Sequence, residues 1–141
     1  MASDSAREEH VLLVLLNALR VEHGLVPLRT TPRLDGVALA HARDMAAHGY
    51  FAHDDRQGRS GFGRLHEAGY KGGLLGENIA GGNADARATF AQWMGSPPHL
   101  ATMLTPGFRA LGIGRAQQAG SPLGTYWVTV FGDYVDASAS S

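Results

Sequence analysis

The spacing of apolar residues constrains the fold of this chain more than any other feature of its sequence. Apolar residues recur at helical intervals in residues 11–19 and again in residues 34–45. These patterns predict one helix from about Ser5 to His23. They predict a second helix from Pro32 to about His48, with Thr31 as its cap and Gly49 as its end. Near the other end, ALGIGRA and TYWVTVFGD have the composition of strands. Because helices come first and the two clear strands last, the sequence predicts an α+β fold with helices packed on a small antiparallel sheet.

The central part of the sequence alternates between turn-rich loops and short elements. FAHDDRQGRS predicts an exposed loop, after which Ser60 is the predicted cap of a short helix, GFGRLHEA. LLGENIAGG predicts a strand or extended segment, and Asn83 is the predicted cap of a further helix that ends at Pro97-Pro98. The Ser96 hydroxyl is then predicted to cap the helix that begins at Pro97.

Length and composition restrict the class of protein. At 141 residues, with no linker or internal repeat, the chain predicts a single domain over residues 1–141 with a frayed tail at residues 136–141. A net charge of -1 provides no basic field for nucleic acid, and the absence of cysteine excludes disulfides, thiolate metal sites and cysteine nucleophiles. The longest apolar run, VLLVLL, is too short to span a bilayer and follows an acidic REEH segment, unlike a signal peptide. Export of this protein would therefore require that a signal peptide has been removed.

Six segments in a fixed order carry a resemblance to a known family. They are NALRVEHGLVPL, HARDMAAHGYFAH, GENIAGG, WMGSPPHLATML, ALGIGRA and YWVTVFGD. In this order and spacing the chain resembles the CAP superfamily (cysteine-rich secretory proteins, antigen 5 and pathogenesis-related proteins, or SCP-like domains), and within it the short bacterial branch. The resemblance covers about Leu12 to Asp133, the predicted core of the domain. It implies a three-layer α-β-α sandwich with a cleft on one side.

The resemblance also implies which residues line that cleft. The two histidines and the acidic residue of the family match His53, His99 and Glu77 of the GEN motif. Many eukaryotic members carry a second glutamate three residues after a tryptophan, where this chain has Ser96. The predicted cleft residues are therefore His53, Glu77, Ser96 and His99.

Two imidazoles and a carboxylate suit a divalent metal, with Zn²⁺ preferred and with positions left open for water or a small ligand. The predicted metal ligands are His53, Glu77 and His99. The alternative is a metal-free polar network in which the same residues brace the fold. In that case replacing His53 or His99 by alanine should cost about 1–3 kcal/mol through orphaned hydrogen-bond partners.

A hydrolase is the alternative function for the same residues. Ser96, His99 and Glu77 are the residue types of a serine triad. Ser96, however, precedes two prolines, which cannot donate the backbone N–H groups of an oxyanion hole. A metal-dependent hydrolase would need Glu77 as its base, which conflicts with Glu77 as a metal ligand. Catalysis is therefore the weaker hypothesis, and no catalytic residue is assigned.

The remaining histidines are weaker candidates for a site. His10, His23, His41 and His48 lie on the first two predicted helices, where surface or helix-end positions are expected. His66 lies on the third predicted helix and could approach the cleft, although nothing in the sequence requires it.

The resemblance implies a binding module rather than an enzyme. Members of the superfamily are associated with sterols, fatty acids, divalent metals and secreted interaction roles, so the expected partner is a small lipid, a cell-envelope component or another protein. No nucleic-acid partner and no transmembrane segment are expected. The expected location is extracellular or in the cell envelope, with the cytoplasm as the alternative.

Overall fold

The computed structural model describes residues 3–136, so residues 137–141 of the predicted tail lie outside the described residues. This part of the chain forms five helices and four strands. The helices are α1 (Asp4–Glu22), α2 (Pro32–His48), α3 (Gly61–Glu67), α4 (Ala86–Met94) and α5 (Pro97–Met103). The strands are β1 (Arg29–Thr30), β2 (Leu75–Gly81), β3 (Ala110–Gln117) and β4 (Thr125–Gly132).

Local sequence signals set most helix ends. Thr31 and Ser60 accept hydrogen bonds from backbone N–H groups in the first turns of α2 and α3, as predicted. Gly49 ends α2 in the left-handed conformation with φ 67°, which glycine adopts without steric cost. The predicted cap of α4 is wrong: Asp85 rather than Asn83 accepts the bond from the Ala88 N–H, at 2.7 Å. The helix begins two residues later than predicted, and the Asn83 side chain instead donates from Nδ2 to Oε1 of Gln92 at 2.9 Å.

The sheet is mixed. Its strand order is β1-β3-β4-β2. β4 pairs antiparallel with both neighbours, with Ile113 opposite Thr129 on one side and Asn78 opposite Thr129 on the other. The short β1 comes from the connector between the first two helices and pairs parallel with the start of β3. The antiparallel part of the sheet was therefore predicted, and the parallel edge was not.

Helices cover both faces of the sheet, which confirms the predicted three-layer α-β-α sandwich. One face packs against α2 and α3 through residues that include Leu34, Met45 and Leu65. The other packs against α1, α4 and α5 through residues that include Leu16 and Trp93. In the described part of the chain, no helix is long and apolar enough to cross a membrane.

Candidate functional site

Glu77 on strand β2 is the centre of the first half of the site. Its carboxylate is buried, with 5% of the side chain exposed, and Oε1 lies 2.8 Å from Nδ1 of His53. Arg64 of helix α3 donates from Nη1 to Oε2 at 3.0 Å and from Nη2 to Oε1 at 3.2 Å. The forked guanidinium thus holds both carboxylate oxygens, a geometry that fixes the position of the carboxyl group.

Backbone packing closes the remaining space around this carboxylate. A Cβ atom on Gly61, the first residue of α3, would lie 2.9 Å from Oε2 of Glu77. Only glycine lets the helix start approach the carboxylate so closely. Glu77 therefore lies in a pocket formed by α3. The imidazole of His53, which hydrogen-bonds to Glu77, lies at the surface with 56% of its side chain exposed.

The charges of this cluster stabilise one another. Burial by itself would raise the pKa of Glu77, but the hydrogen bonds from His53 and Arg64 outweigh it and lower that pKa. The hydrogen bond to Glu77 raises the pKa of His53, against a smaller opposing effect of burial. Glu77 is thus held as a carboxylate, and His53 keeps its proton to a higher pH than an isolated histidine.

Ser96 and His99 form the second half of the site, at the start of helix α5. Oγ of Ser96 lies 2.7 Å from Nδ1 of His99, and the Ser96 side chain makes no cap hydrogen bond. The predicted capping role of Ser96 is therefore wrong. The two prolines that follow it have no N–H to offer, and the imidazole takes their place as hydrogen-bond partner.

Neighbours on the same side of the sheet hold the His99 ring in place. The ring stacks on Trp93 with centroids 6.2 Å apart and an interplanar angle of 13°. Asn78 donates from Nδ2 to the His99 carbonyl oxygen at 3.1 Å, which braces the backbone at His99. Burial and then the nearby His53 lower the pKa of His99, so this imidazole is neutral at physiological pH.

The two halves lie on opposite sides of the edge strand β2. Successive side chains of a strand point to opposite faces, so Glu77 faces α3 while Asn78 faces α5. Glu77 accordingly contacts His53 and not His99, and the two imidazoles are linked only by the effect of the His53 charge on the pKa of His99. The structure brings together His53 with Glu77 and Ser96 with His99, but it does not assemble a Ser96–His99–Glu77 triad.

Some of the nitrogen and oxygen atoms of this site are available to bind a metal ion, and others are not. Both imidazoles use Nδ1 for an internal partner and leave Nε2 without a hydrogen bond to any residue from 3 to 136. Both oxygens of Glu77 are engaged by Arg64, so the carboxylate fits poorly as a third ligand. Among the described residues, no group of three or more histidine, aspartate or glutamate side chains is arranged to hold a metal ion.

Two residues near the site were missed from the sequence. Arg64 gave no signal, because a single arginine on a short helix is usually exposed. His41 was expected at the surface but is only 2% exposed, and its Nε2 donates to the Ala52 carbonyl oxygen at 2.7 Å. Its helical spacing from Leu34, Ala38 and Met45 on the buried face of α2 could have predicted this burial.

Comparison with known proteins places this geometry in context. The family model described as "CAP: Cysteine-rich secretory protein family" matches residues 13–131. The uncharacterized protein YkwD of Bacillus subtilis is 32% identical over 130 residues, which are 92% of this chain and 48% of that protein. The two curated relatives that the chain matches are longer than the chain, which spans 31% and 48% of their lengths.

Solved structures share the fold. An extracellular protein with an SCP domain from Bacillus anthracis superposes with a TM-score of 0.81 at 26% identity, covering 92% of this chain and 41% of that one. An outer surface protein of Borrelia burgdorferi superposes with a TM-score of 0.83 at 20% identity, covering 92% of this chain and 94% of that one. The first of these structural neighbours is extracellular and the second is a surface protein.

Proposed function

The chain belongs to the CAP family of cysteine-rich secretory proteins, and from that premise we propose that it is a non-enzymatic binding module that presents two imidazoles in a polar cleft. The observation that carries this proposal is the shared arrangement of His53 and His99. Each ring is oriented through Nδ1 by its own protein partner, Glu77 or Ser96, and Nε2 of each ring has no hydrogen-bond partner within residues 3–136.

This arrangement is the one that a metal-binding imidazole requires. A histidine that binds metal through one nitrogen usually donates its other N–H to a carboxylate, carbonyl or hydroxyl oxygen, which fixes the tautomer and the ring orientation. Glu77 and Ser96 supply those oxygens for His53 and His99. We therefore propose that Zn²⁺ would be held by the two imidazoles, with water completing the coordination and Glu77 orienting His53.

Two exposed aromatic side chains lie close in sequence to the cleft residues. Phe51 precedes His53 by two residues and is 46% exposed, and Phe62 follows Gly61 and is 52% exposed. Exposed aromatic side chains beside polar groups suit a ligand with both an apolar and a polar part. A small lipid or a cell-envelope component is thus the proposed organic ligand, and an extracellular or cell-envelope location is the proposed site of action.

Hydrolysis is not favoured by the geometry of the cleft. Ser96 bonds to Nδ1 of His99, while Glu77 bonds to a different histidine. A serine nucleophile needs a base that is itself oriented by an acid, together with donors for the oxyanion. Within the described part of the chain, no carboxylate hydrogen-bonds to His99. Pro97 and Pro98 have no backbone N–H to offer an oxyanion.

Calorimetric titration of metal-stripped protein with Zn²⁺ tests the metal part of the proposal. We expect saturable one-to-one binding that the His53→Ala/His99→Ala double variant loses. The His10→Ala/His66→Ala double variant is the matched control, because both of its histidines are exposed and neither is one of the predicted cleft residues. Binding that survives in the cleft variant, or no binding to the unaltered protein, would overturn the metal proposal.

The pH dependence of this binding follows from the two imidazoles. Metal binds neutral imidazole, so protonation competes with binding. Because the pKa of His53 is raised and that of His99 is lowered, His53 protonates first as the pH falls. We expect Zn²⁺ affinity to begin falling above pH 6.5, the ordinary pKa of histidine. An affinity that is unchanged between pH 7.5 and 5.5 would contradict this role of His53.

A further inference from the structure

Helix α1 exposes apolar side chains on the side that faces away from the sheet. Its inner side packs in the core through residues that include Leu12 and Leu16. A helix turns by about 100° per residue, which places Val14, Ala18 and Val21 on the opposite side. Val14 is 53% exposed, Val21 is 58% exposed, and Ala18 is exposed as well. A helix that packs through one side usually carries polar residues on the other, so the apolar outer side of α1 departs from that pattern.

The polar side chains in this part of α1 are not available to cover its outer side. Between Val11 and Val21 the polar residues are Asn17 and Arg20. The Asn17 side chain bonds to the backbone of Leu28, donating at 2.9 Å and accepting at 2.7 Å. Arg20 is fully buried, with its guanidinium bonded to backbone carbonyl oxygens. These turns of the helix therefore present apolar side chains to solvent, and an exposed apolar patch of this kind marks an interaction surface.

Four residues define this surface, which we call the α1 patch. They are Val11, Val14, Ala18 and Val21, of which Val11 is half-buried and the other three are exposed. Successive members are three, four and three positions apart. This is the spacing of the residues that form the seam between two paired helices.

We propose that the α1 patch is a self-association surface that binds the α1 patch of a second copy of this chain, with the two helices antiparallel. The spacing of the patch is the same in both chain directions, so a two-fold axis level with Leu16 aligns two copies of it. Val11 then faces the partner's Val21. Val14 faces the partner's Ala18, whose small side chain leaves room for the valine.

The charges at the two ends of the patch favour the antiparallel arrangement. Arg7, which also pairs with Asp4, lies one turn before Val11 on the outer side of the helix, and Glu22 directly follows Val21. In an antiparallel pair each Arg7 lies within one turn of the partner's Glu22. A parallel pair would instead bring the two Arg7 side chains together, which is a repulsive contact.

The size of the patch predicts a weak dimer. Three turns of a single helix bury less than the roughly 800 Å² per partner of a standard protein–protein interface. We therefore expect a reversible dimer that forms at micromolar to millimolar concentrations of the protein.

Sedimentation equilibrium of the metal-stripped protein between about 10 μM and about 1 mM tests for this self-association. We expect the mean mass to rise with concentration, from that of one chain toward that of two. A mean mass that stays at one chain would overturn the proposal. In that case, co-sedimentation of the monomer with phosphatidylcholine vesicles would assign the α1 patch to a lipid surface instead.

Two alanine-to-lysine variants localise the contact. Ala18→Lys places a charge in the α1 patch, and the fold should be kept because Ala18 is exposed. We expect it to raise the dissociation constant of the dimer by about tenfold or more, because an unpaired charge in an apolar contact opposes association. Ala47→Lys is the matched control, since Ala47 is an exposed alanine on α2, which packs on the other face of the sheet. Equal dissociation constants for the two variants would place the contact elsewhere and overturn the proposal.

Cysteine cross-linking tests the antiparallel arrangement. The chain has no cysteine of its own, so the single variants Val11→Cys and Val21→Cys carry one thiol each. Under mild oxidation a mixture of the two variants should form a disulfide-linked dimer, because positions 11 and 21 face each other in the proposed dimer. Neither variant should cross-link by itself, since equal positions lie about 15 Å apart along the helix axis, beyond the reach of a disulfide. Cross-linking of each variant by itself, with no preference for the mixture, would contradict the antiparallel pair.

The outcome is independent of the proposed metal function. The His53→Ala/His99→Ala variant keeps the α1 patch, so it should associate as the unaltered protein does. Absent Zn²⁺ binding with measurable self-association would overturn the proposed function alone, and the reverse result would overturn the role of the α1 patch alone.

Discussion

At the scale of single residues, Glu77 illustrates how burial and pairing compete. A buried carboxylate is costly unless its charge is compensated by partners. The fork of Arg64 and the ring of His53 provide that compensation. The same carboxylate orients His53. The contacts of Glu77 with Arg64 and His53 therefore both stabilise the fold and position the imidazole of the proposed binding site.

Replacing Glu77 by glutamine tests the coupling between this carboxylate and His53. The hydrogen bond to Glu77 is the largest cause of the raised pKa of His53, while burial and Arg64 act in the opposite direction. In Glu77→Gln we therefore expect the pKa of His53 to fall below its ordinary value, as measured by NMR titration of the imidazole. Glu67→Gln is the control, since Glu67 pairs with Arg59 and does not touch His53. An unchanged pKa in Glu77→Gln would contradict the ion pair.

The same pair predicts how stability depends on pH. Because the folded-state pKa of His53 is raised, protonated His53 contributes stability that is fully present below its unfolded pKa and is lost as the pH rises through the folded pKa. The free energy of unfolding of the unaltered protein, relative to that of His53→Gln, should therefore be largest near pH 6 and shrink at higher pH. The effect should be small because His53 is more than half exposed. Urea denaturation of both proteins across this pH range measures it, and a difference that grows with pH would be inconsistent with a raised pKa.

At the scale of elements, the contact between α2 and the sheet depends on two glycines. A Cβ on Gly112 would overlap the backbone of Leu34, and one on Gly114 would overlap the backbone of Leu39. These glycines let the helix axis lie close to β3, so that the α2 face of the core is packed backbone against backbone.

Alanine substitutions at two glycines test this packing. Gly112→Ala should destabilise the protein by about 2 kcal/mol or more, since the added methyl group meets backbone rather than a flexible side chain. Gly36→Ala is the matched control, because no atom lies within 4 Å of its Cβ position on α2. There the change should stabilise the helix by about 0.5–1 kcal/mol through its propensity. Thermal or urea denaturation compares the variants, and equal effects would show that the α2–β3 contact tolerates a side chain.

At the scale of the whole molecule, Arg20 connects distant parts of the chain. It is fully buried at the end of α1. Its guanidinium donates to the carbonyl oxygens of Met103 at 2.8 Å, Thr105 at 3.1 Å and Phe108 at 3.3 Å. Arg20 thus fixes the segment between α5 and β3, and with it the helix that carries His99.

Replacing Arg20 by methionine should destabilise the whole domain. The substitution keeps much of the side-chain volume but leaves the buried carbonyl oxygens without donors, which costs about 1–3 kcal/mol for each group that water does not reach. We expect a loss of about 3 kcal/mol or more in urea denaturation. Arg43→Met is the control, since Arg43 is exposed on α2 and should change stability by less than about 0.5 kcal/mol. Similar stabilities of the two variants would show that Arg20 does not hold this segment.

The sequence by itself determined most elements of this protein, although not strand β1. Apolar periodicity, the caps Thr31 and Ser60, and the stop at Gly49 located the first helices and the last two strands, because these signals act within a few residues. The ordered motifs also identified the family, and with it the three layers of the fold. Three predictions were wrong. The capping roles of Asn83 and Ser96 were wrong because more than one local hydrogen-bond partner was available to them. The surface position of His41 was wrong because this polar residue lies on the apolar face of α2.

Only the tertiary structure decided how the site residues are paired. Glu77 and Ser96 are 19 positions apart in the sequence, and their imidazole partners lie on different segments. Strand alternation at β2 sends Glu77 to one face of the sheet and leaves His99 on the other, so the carboxylate meets Arg64 and His53. No periodicity or spacing encodes this choice, because it depends on the order of strands in the sheet and on which helix packs against each face.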